Sequence, residues 1–535
     1  MAKRKKIDTK IAAGATVPEQ AGTSVLHPQL SALALFVLIA AFAMLRVRLL
    51  DLPLERDEGE YAYAGQLILH GIPPYKLLYN MKWPGTYAAF AAIMGVFGES
   101  ITGIRIGLLL VTSATAICVY LLTKRMFGHV AGVVAAATQL MFSITLPAMG
   151  PYAHATHFVA LAAVAGLVLL LREPPSWWSV TLSGALLALA ALMKQPGMMF
   201  GFFAAIWLLT SKRVRDTALL AGGASVIGAI TVATLVIAGV FARFKLWTID
   251  YARQYVSQTT FTQGLQTFKV TFGAIFSYTS LLWWIALAGL VLLFVDAEVR
   301  KHWRFVVGFT IAGVLATMPG FYFREHYYMV LFPAAAMLNG IAVKAASRLM
   351  PWRAAPAIAY AIALLITLGQ QWPLLVRTST TTITRMLYGF NPFPESIEVA
   401  SYLKDHTEPD DRIAVLGSEP QIYFYSGRKS ATGYIYTYPL MEKQKFAHRM
   451  QMEMIGEIEQ AKPKYIVSVG VATSWLAHPE SDRTIFEWSE KYVNANYTLD
   501  GIADITSGTT QYVWGPDALK YHPKTTNVMM VFKRK

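Results

Sequence analysis

Four carboxylates, Glu55, Asp57, Glu58 and Glu60, fall within the stretch LERDEGEYAYAGQLILHG, directly after an apolar run of membrane-spanning length. Charge at the edge of hydrocarbon is costly unless it is partnered or used. One use is structural: Asp57 followed three positions later by Glu60 is a capping-box pattern for a helix running from about Glu58 to His70 and stopped by Gly71. A cap leaves Glu58 unexplained, so the pair Asp57/Glu58 is also a candidate for proton transfer or metal binding. Both readings stay open at this point. The matching cations are Arg46, Arg48, Lys82, Arg105, Lys194 and Arg324, which sit at helix ends or in the first loop. Grouped there against the positive-inside preference, they point to a shared anionic ligand, and singly each is explained equally well as a snorkelling side chain.

The elements that position these residues are apolar helices. Of 535 residues, 55% are hydrophobic and 15% charged, outside the soluble range. Apolar runs of roughly 17 to 25 residues, enough to cross a bilayer, recur at 29–50, 101–123, 129–147, 152–171, 176–193, 196–210, 217–241, 271–295, 305–320, 327–346 and 354–376. About eleven spans follow. The basic clusters Lys124/Arg125, Lys212/Arg213/Arg215, Arg300/Lys301/Arg304 and Lys344/Arg348/Arg353 fall on one side with the MAKRKK end, which sets that side as cytoplasmic. About twenty polar or small residues separate MAKRKK from the first apolar run, so this run is expected to stay as a span rather than act as a signal. The net charge of +15 is distributed as loop clusters between apolar runs, which suits anionic membrane lipid and excludes nucleic acid as the expected partner. A lone cysteine, Cys118, rules out an intrachain disulfide.

Three segments are therefore expected: a basic cytoplasmic tail at 1–28, a helical membrane domain at 29–376 with a first outer loop at 51–100, and a domain at 377–535. In the loop, KWPGTYAAFAAIMGVFG is apolar but short, and is expected along the interface as part of a lid. Beyond residue 390, ESIEVASYLKDH, RIAVLG, a polar helix near 440–461 and KYIVSVG alternate as helix and strand, predicting a small α/β domain. It lacks a Gly-rich nucleotide fingerprint. The tyrosine-rich stretch EPQIYFYSGRKSATGYIYTYP reads first as packing, with stacking on sugars as the alternative.

The chain resembles the lipid-phosphate-dependent GT-C glycosyltransferases, the group of dolichyl-phosphate-mannose protein mannosyltransferases and bacterial aminoarabinose transferases (glycosyltransferase families 39 and 83). The resemblance rests on RDEGEYAYAGQLILHGIPPY, KWPGTYAAFAAIMGVFGES, GIRIGLLLVTSATAICVYLLTKRMFG, ALMKQPG and REHYYMVLFPAAAML, in that order. It implies a polytopic α-helical membrane protein of GT-C type with an extracytoplasmic C-terminal α/β domain. It implies Asp57 as catalytic base with Glu58 beside it. Lys82, Arg105, Lys194 and Arg324 would lie near the donor phosphate, and Tyr61, Tyr327 and Tyr328 would contact substrate. Where some members carry a second acid, this chain reads GPYAHATHF. His154 and His157 share a helical face there, and with no third ligand in the motif they are expected at the substrate rather than on a metal. No metal ligand is assigned, and a divalent cation is left open.

The implied reaction moves a sugar from a polyprenyl-phosphate donor to a hydroxyl of a glycan, lipid or protein, on the outer face of the cytoplasmic membrane. A departing phosphate is already a weak base, so cations stabilise it and a single carboxylate suffices, with inversion. A glycosidase, by contrast, needs two carboxylates flanking a sugar–sugar bond. The competing readings are a transporter or flippase of lipid-linked sugars and a non-catalytic subunit of an envelope polysaccharide system.

Overall fold

The computed structural model describes residues 28–507 and 509–535, so the predicted tail lies, except for Pro28, outside the described residues. Each apolar run is helical. Five helices are long and apolar enough to cross a membrane: Pro28–Val47, Ile101–Phe127, Val214–Ile237, Phe261–Val295 and Ala355–Arg377. Others are shorter than expected, among them His129–Ile144, Ala155–Leu170, Trp177–Met193, Met198–Thr210 and Trp303–Thr317. The reason lies in proline. Pro147, Pro196 and Pro319 open single 3-10 turns next to these helices, because proline cannot donate the helical hydrogen bond. The run expected from residue 327 starts as a helix only at Phe332, since Glu325–Val330 is itself a 3-10 turn.

Small residues let the helices approach. A Cβ on Gly184 would stand 1.9 Å from the Leu220 carbonyl oxygen, and one on Gly223 1.9 Å from that of Thr181. The helices Trp177–Met193 and Val214–Ile237 thus touch backbone to backbone, as small-residue seams allow in lipid.

The C-terminal region is an α/β domain, as predicted, built on a six-stranded mixed sheet. Its strands are β1 Arg412–Leu416, β2 Lys429–Ser430, β3 Tyr465–Val469, β4 Tyr497–Ile505, β5 Thr510–Trp514 and β6 Val528–Arg534, in the order β2-β1-β3-β6-β4-β5. β1 pairs in parallel with β2 and β3, and the remaining pairs are antiparallel. Ile413 lies opposite Tyr465 and Val415 opposite Val467. Side chains alternate between the two faces of a strand. Ile413, Val415, Tyr465 and Val467 accordingly join one core, while Ala414, Leu416 and Ile466 join another with Met450, Met454 and Ile458 of the helix Ala447–Ala461.

The first of these cores continues into the loop at 51–100, taking in Leu54, Tyr61, Tyr63 and Leu67. The loop and the sheet domain are fused by specific bonds. Tyr425 Oη accepts from the Leu54 N–H at 2.9 Å, Tyr63 Oη accepts from the Ser430 N–H at 2.8 Å, and Tyr79 Oη donates to Glu457 at 2.9 Å. Arg56 is buried between Phe393 and Tyr438 and forms an ion pair with Glu419. Gly59 permits this docking, because a Cβ there would lie 2.7 Å from the backbone nitrogen of Gln421.

Candidate functional site

The helix Arg56–Leu69 begins two residues earlier than the capping pattern predicted. Its N-cap is Glu55, whose carboxylate accepts from the N–H groups of Asp57 and Glu58, while Glu58 returns the bond to the Glu55 N–H. The capping assignment to Asp57 and Glu60 is therefore corrected: Glu55 and Glu58 form the box. Asp57 keeps its side chain for other contacts.

Two turns bring the lysines to it. Pro84 opens the helix Pro84–Phe97, and Gly85 sits where a Cβ would meet the Leu192 carbonyl at 2.6 Å. Thr86 Oγ1 donates to the Met193 carbonyl at 2.7 Å, and Gln195 Nε2 donates to the Met81 carbonyl at 2.9 Å. The KWPG and LMKQPG segments thereby pin each other, which places Lys82 and Lys194 in one cavity wall. A third turn carries Arg324. Gly320, Phe321 and Phe323 all have positive φ, a costly backbone for phenylalanine, and Phe323 is braced edge-on against Phe268.

These elements enclose a cavity of about 500 Å³ whose wall includes Asp57, Lys82, Lys194, Arg324, Tyr61, Tyr327 and His154. Lys82 Nζ lies 2.8 Å from Asp57 Oδ1 and 2.7 Å from Glu60 Oε2, above the ring of Tyr61. Lys194 Nζ lies 4.0 Å from the centre of the Tyr327 ring and 3.3 Å from His326 Nε2. Among the described residues, neither Lys194 nor Arg324 has an ion-pair partner. In this wall the Lys82 ammonium is engaged by carboxylates, while Lys194 and Arg324 are within ion-pair distance of none. Buried cations without partners are costly, a cost that an anionic ligand would relieve.

Electrostatics divides the groups. Burial opposes the charge of Asp57, but Lys82, by charge and hydrogen bond, together with His154 and Lys194 holds the carboxyl below the ordinary carboxylate range. Burial lowers the Lys194 ammonium to about 7. Both ring nitrogens of His154 are buried without a hydrogen-bond partner.

Four expected site residues are not in the cavity wall. Glu58 is fully buried and bound by Arg105 Nη2 at 2.9 Å, by Arg105 Nη1 and by the Ala153 N–H. Arg105 also donates to the Leu52 carbonyl at 2.9 Å. This pair is a buried strut between the loop at 51–100 and the helix Ile101–Phe127, so the structure does not bring Glu58 and Arg105 into the cavity wall with Asp57. Tyr328 is buried among Phe268, Phe272 and Thr271, and His157 lies within the helix Ala155–Leu170.

The sheet domain supplies further groups, two of them from the tyrosine-rich stretch that sequence reasoning read first as packing. Tyr436 Oη donates to Asp57 Oδ1 at 3.0 Å, and Tyr438 and Glu442 also line the cavity. Tyr423 and Tyr434, by contrast, are the buried packing that the tyrosine-rich stretch suggested. His326 was missed by sequence reasoning, although it stands in the REHYY motif. It stacks on His154 with ring centres 4.0 Å apart.

Asp57, His154 and His326 each present a ligand atom within 4.8 Å of the others. Two imidazoles and one carboxylate are a ligand set that divalent cations accept, while Lys82 and Tyr436 hold Asp57 Oδ1 and Lys194 Nζ stands against His326 Nε2.

Residues 82–241 match the family model of dolichyl-phosphate-mannose-protein mannosyltransferase, a span that includes Lys82 and Lys194 but not Asp57 or Arg324. No curated protein matches the sequence. The fold is similar to that of ArnT from Cupriavidus metallidurans, solved bound to undecaprenyl phosphate, at 13% identity over 93% of this chain and 97% of that one, with a TM-score of 0.57. It is also similar to the Archaeoglobus fulgidus oligosaccharyltransferase, solved tethered with an acceptor peptide, at 13% identity over 92% and 74% of the two chains, TM-score 0.53. The arabinofuranosyltransferase AftD from Mycobacteria matches at 14% identity over 95% of this chain and 40% of its own, TM-score 0.52.

Proposed function

We propose that this chain is a membrane glycosyltransferase of GT-C type, a reading that the partial family match and the fold likeness support, and that it moves a sugar from a polyprenyl-phosphate donor to an acceptor hydroxyl, inverting the anomeric centre, on the extracytoplasmic face of the cytoplasmic membrane. The observation that carries this reading is the single cavity in which the ionised Asp57 faces three cations, Lys82, Lys194 and Arg324. The donor phosphate is held by these cations. The acceptor oxygen bonds to the anomeric carbon as the bond from that carbon to the phosphate oxygen breaks, and the hydroxyl proton passes to Asp57. Polyprenyl phosphate leaves with the charge that the cations stabilise.

In the resting site Lys82 makes Asp57 a weak base. A bound phosphate competes for that ammonium, which raises the basicity of the carboxylate at the moment it is needed. The sheet domain, fused to the outer loop, sits on the same side as the donor site and is therefore extracytoplasmic in this reading.

The test is release of polyprenyl phosphate and formation of a glycosylated acceptor when purified protein in liposomes is given polyprenyl-phosphate sugars and envelope extracts. Wild type should turn over, and Lys82→Met and Arg324→Met should each lose donor binding. Protein that binds no polyprenyl phosphate overturns the reading.

A further inference from the structure

Part of the cavity wall is aromatic and acidic, and the reaction as described above assigns its tyrosines and its carboxylate no role. Tyr255 and Tyr322 stack there with ring centres 4.6 Å apart and planes at 16°, with the Arg324 guanidinium carbon 5.7 Å from the Tyr322 ring centre. Glu442 lies beside them. Its Oε2 accepts from Tyr251 Oη at 2.5 Å and from Gln258 Nε2 at 3.2 Å. Its Oε1 has no hydrogen bond among the described residues, and the carboxylate has no ion-pair partner. Tyr436 and Tyr438 complete this side and connect it to Asp57 and Arg56.

Oε1 of Glu442, partly exposed in the cavity wall, is free to accept from a ligand hydroxyl. Aromatic faces next to such an acceptor suit a ring with apolar C–H faces and hydroxyl edges. We infer that Glu442 and the Tyr255/Tyr322 face form a sugar subsite, in which Oε1 accepts from a ring hydroxyl while the ring lies against the tyrosines. The subsite is built from two parts of the chain, the segment 251–258 and the sheet domain, so the domain acts in sugar selection as well as in holding the loop. This inference rests on the function proposed above. Two sources can supply such a ring, the donor's sugar or a glycan acceptor, and the chemistry that Glu442 reads is the same in both.

The test compares bare polyprenyl phosphate with polyprenyl-phosphate mannose and polyprenyl-phosphate glucose, using wild type, Glu442→Gln and Tyr255→Leu. Glutamine keeps the shape and the acceptor for Tyr251, so Glu442→Gln should fold like wild type by thermal unfolding. The expected result is that wild type binds at least one glycosylated carrier more tightly than the bare one, and that both variants lose about tenfold of that preference while binding bare carrier normally. If the ring belongs to the acceptor, donor preference is kept and both variants instead raise acceptor KM about tenfold. Unchanged donor preference together with unchanged acceptor KM in both variants overturns the subsite. Failure of wild type to bind bare polyprenyl phosphate overturns the proposed function itself, and the two failures are thereby distinct.

Discussion

Tyr436 Oη stands 3.0 Å from Asp57 Oδ1, the oxygen that Lys82 also holds at 2.8 Å. A hydroxyl 379 residues away in sequence thus orients the Asp57 carboxylate. Tyr436→Phe removes that donor and nothing else. Transfer should fall by about tenfold, the scale of one hydrogen bond to a charged group, with donor affinity unchanged. Equal loss in kcat and donor binding would mean that the tyrosine holds the fold rather than the carboxylate.

Glu58 and Arg105 provide a second prediction of opposite kind. Removing one member of a buried ion pair strands the other and costs about 3–5 kcal/mol, whereas replacing both with apolar residues is often neutral. Arg105→Met should therefore lower thermal stability sharply, and the double variant Glu58→Met with Arg105→Met should recover most of it. Thermal unfolding of wild type, Arg105→Met and the double variant decides this. A stable Arg105→Met with lost donor binding would return Arg105 to the phosphate site.

Lys194 predicts a pH dependence. Its ammonium is lowered to about 7 by burial, so the charge is present below that pH and is lost above it. Donor affinity should be higher at pH 6 than at pH 8, and the bound phosphate should shift the midpoint upward by stabilising the cation. Lys194→Met should bind more weakly at pH 6 and show a flatter profile. A profile identical in wild type and variant would remove Lys194 from the donor site.

Much of this was legible in the residues. Apolar runs located the helices, and Lys82 and Lys194 stood out as cations against the positive-inside preference, in segments that resemble those of the GT-C glycosyltransferases. The roles of Glu55, Glu58 and Asp57 were not legible, since three acids within four positions satisfy a capping pattern in more than one register. Only the docking of the sheet domain on Gly59 and Arg56 shows which register is used. Arg105 looked like the other outward cations, because sequence does not reveal that its guanidinium meets a buried carboxylate. Tyr436 and Glu442 reach the cavity through contacts distant in the chain, for which no local pattern exists. Strands β4 to β6 were likewise missed.

The central claim is that Asp57 takes the acceptor's proton, and Asp57→Asn tests it most directly. Asparagine keeps the size and can still accept from Tyr436, while Glu55 continues to cap the helix, so folding should be unaffected. An amide cannot accept the proton, and losing general-base catalysis typically costs about 10² to 10⁴ in rate. The measurement is sugar transfer by purified Asp57→Asn alongside donor binding and thermal unfolding. A fall of that size with donor binding and stability retained is the predicted result, and transfer at near wild-type rate would contradict the mechanism.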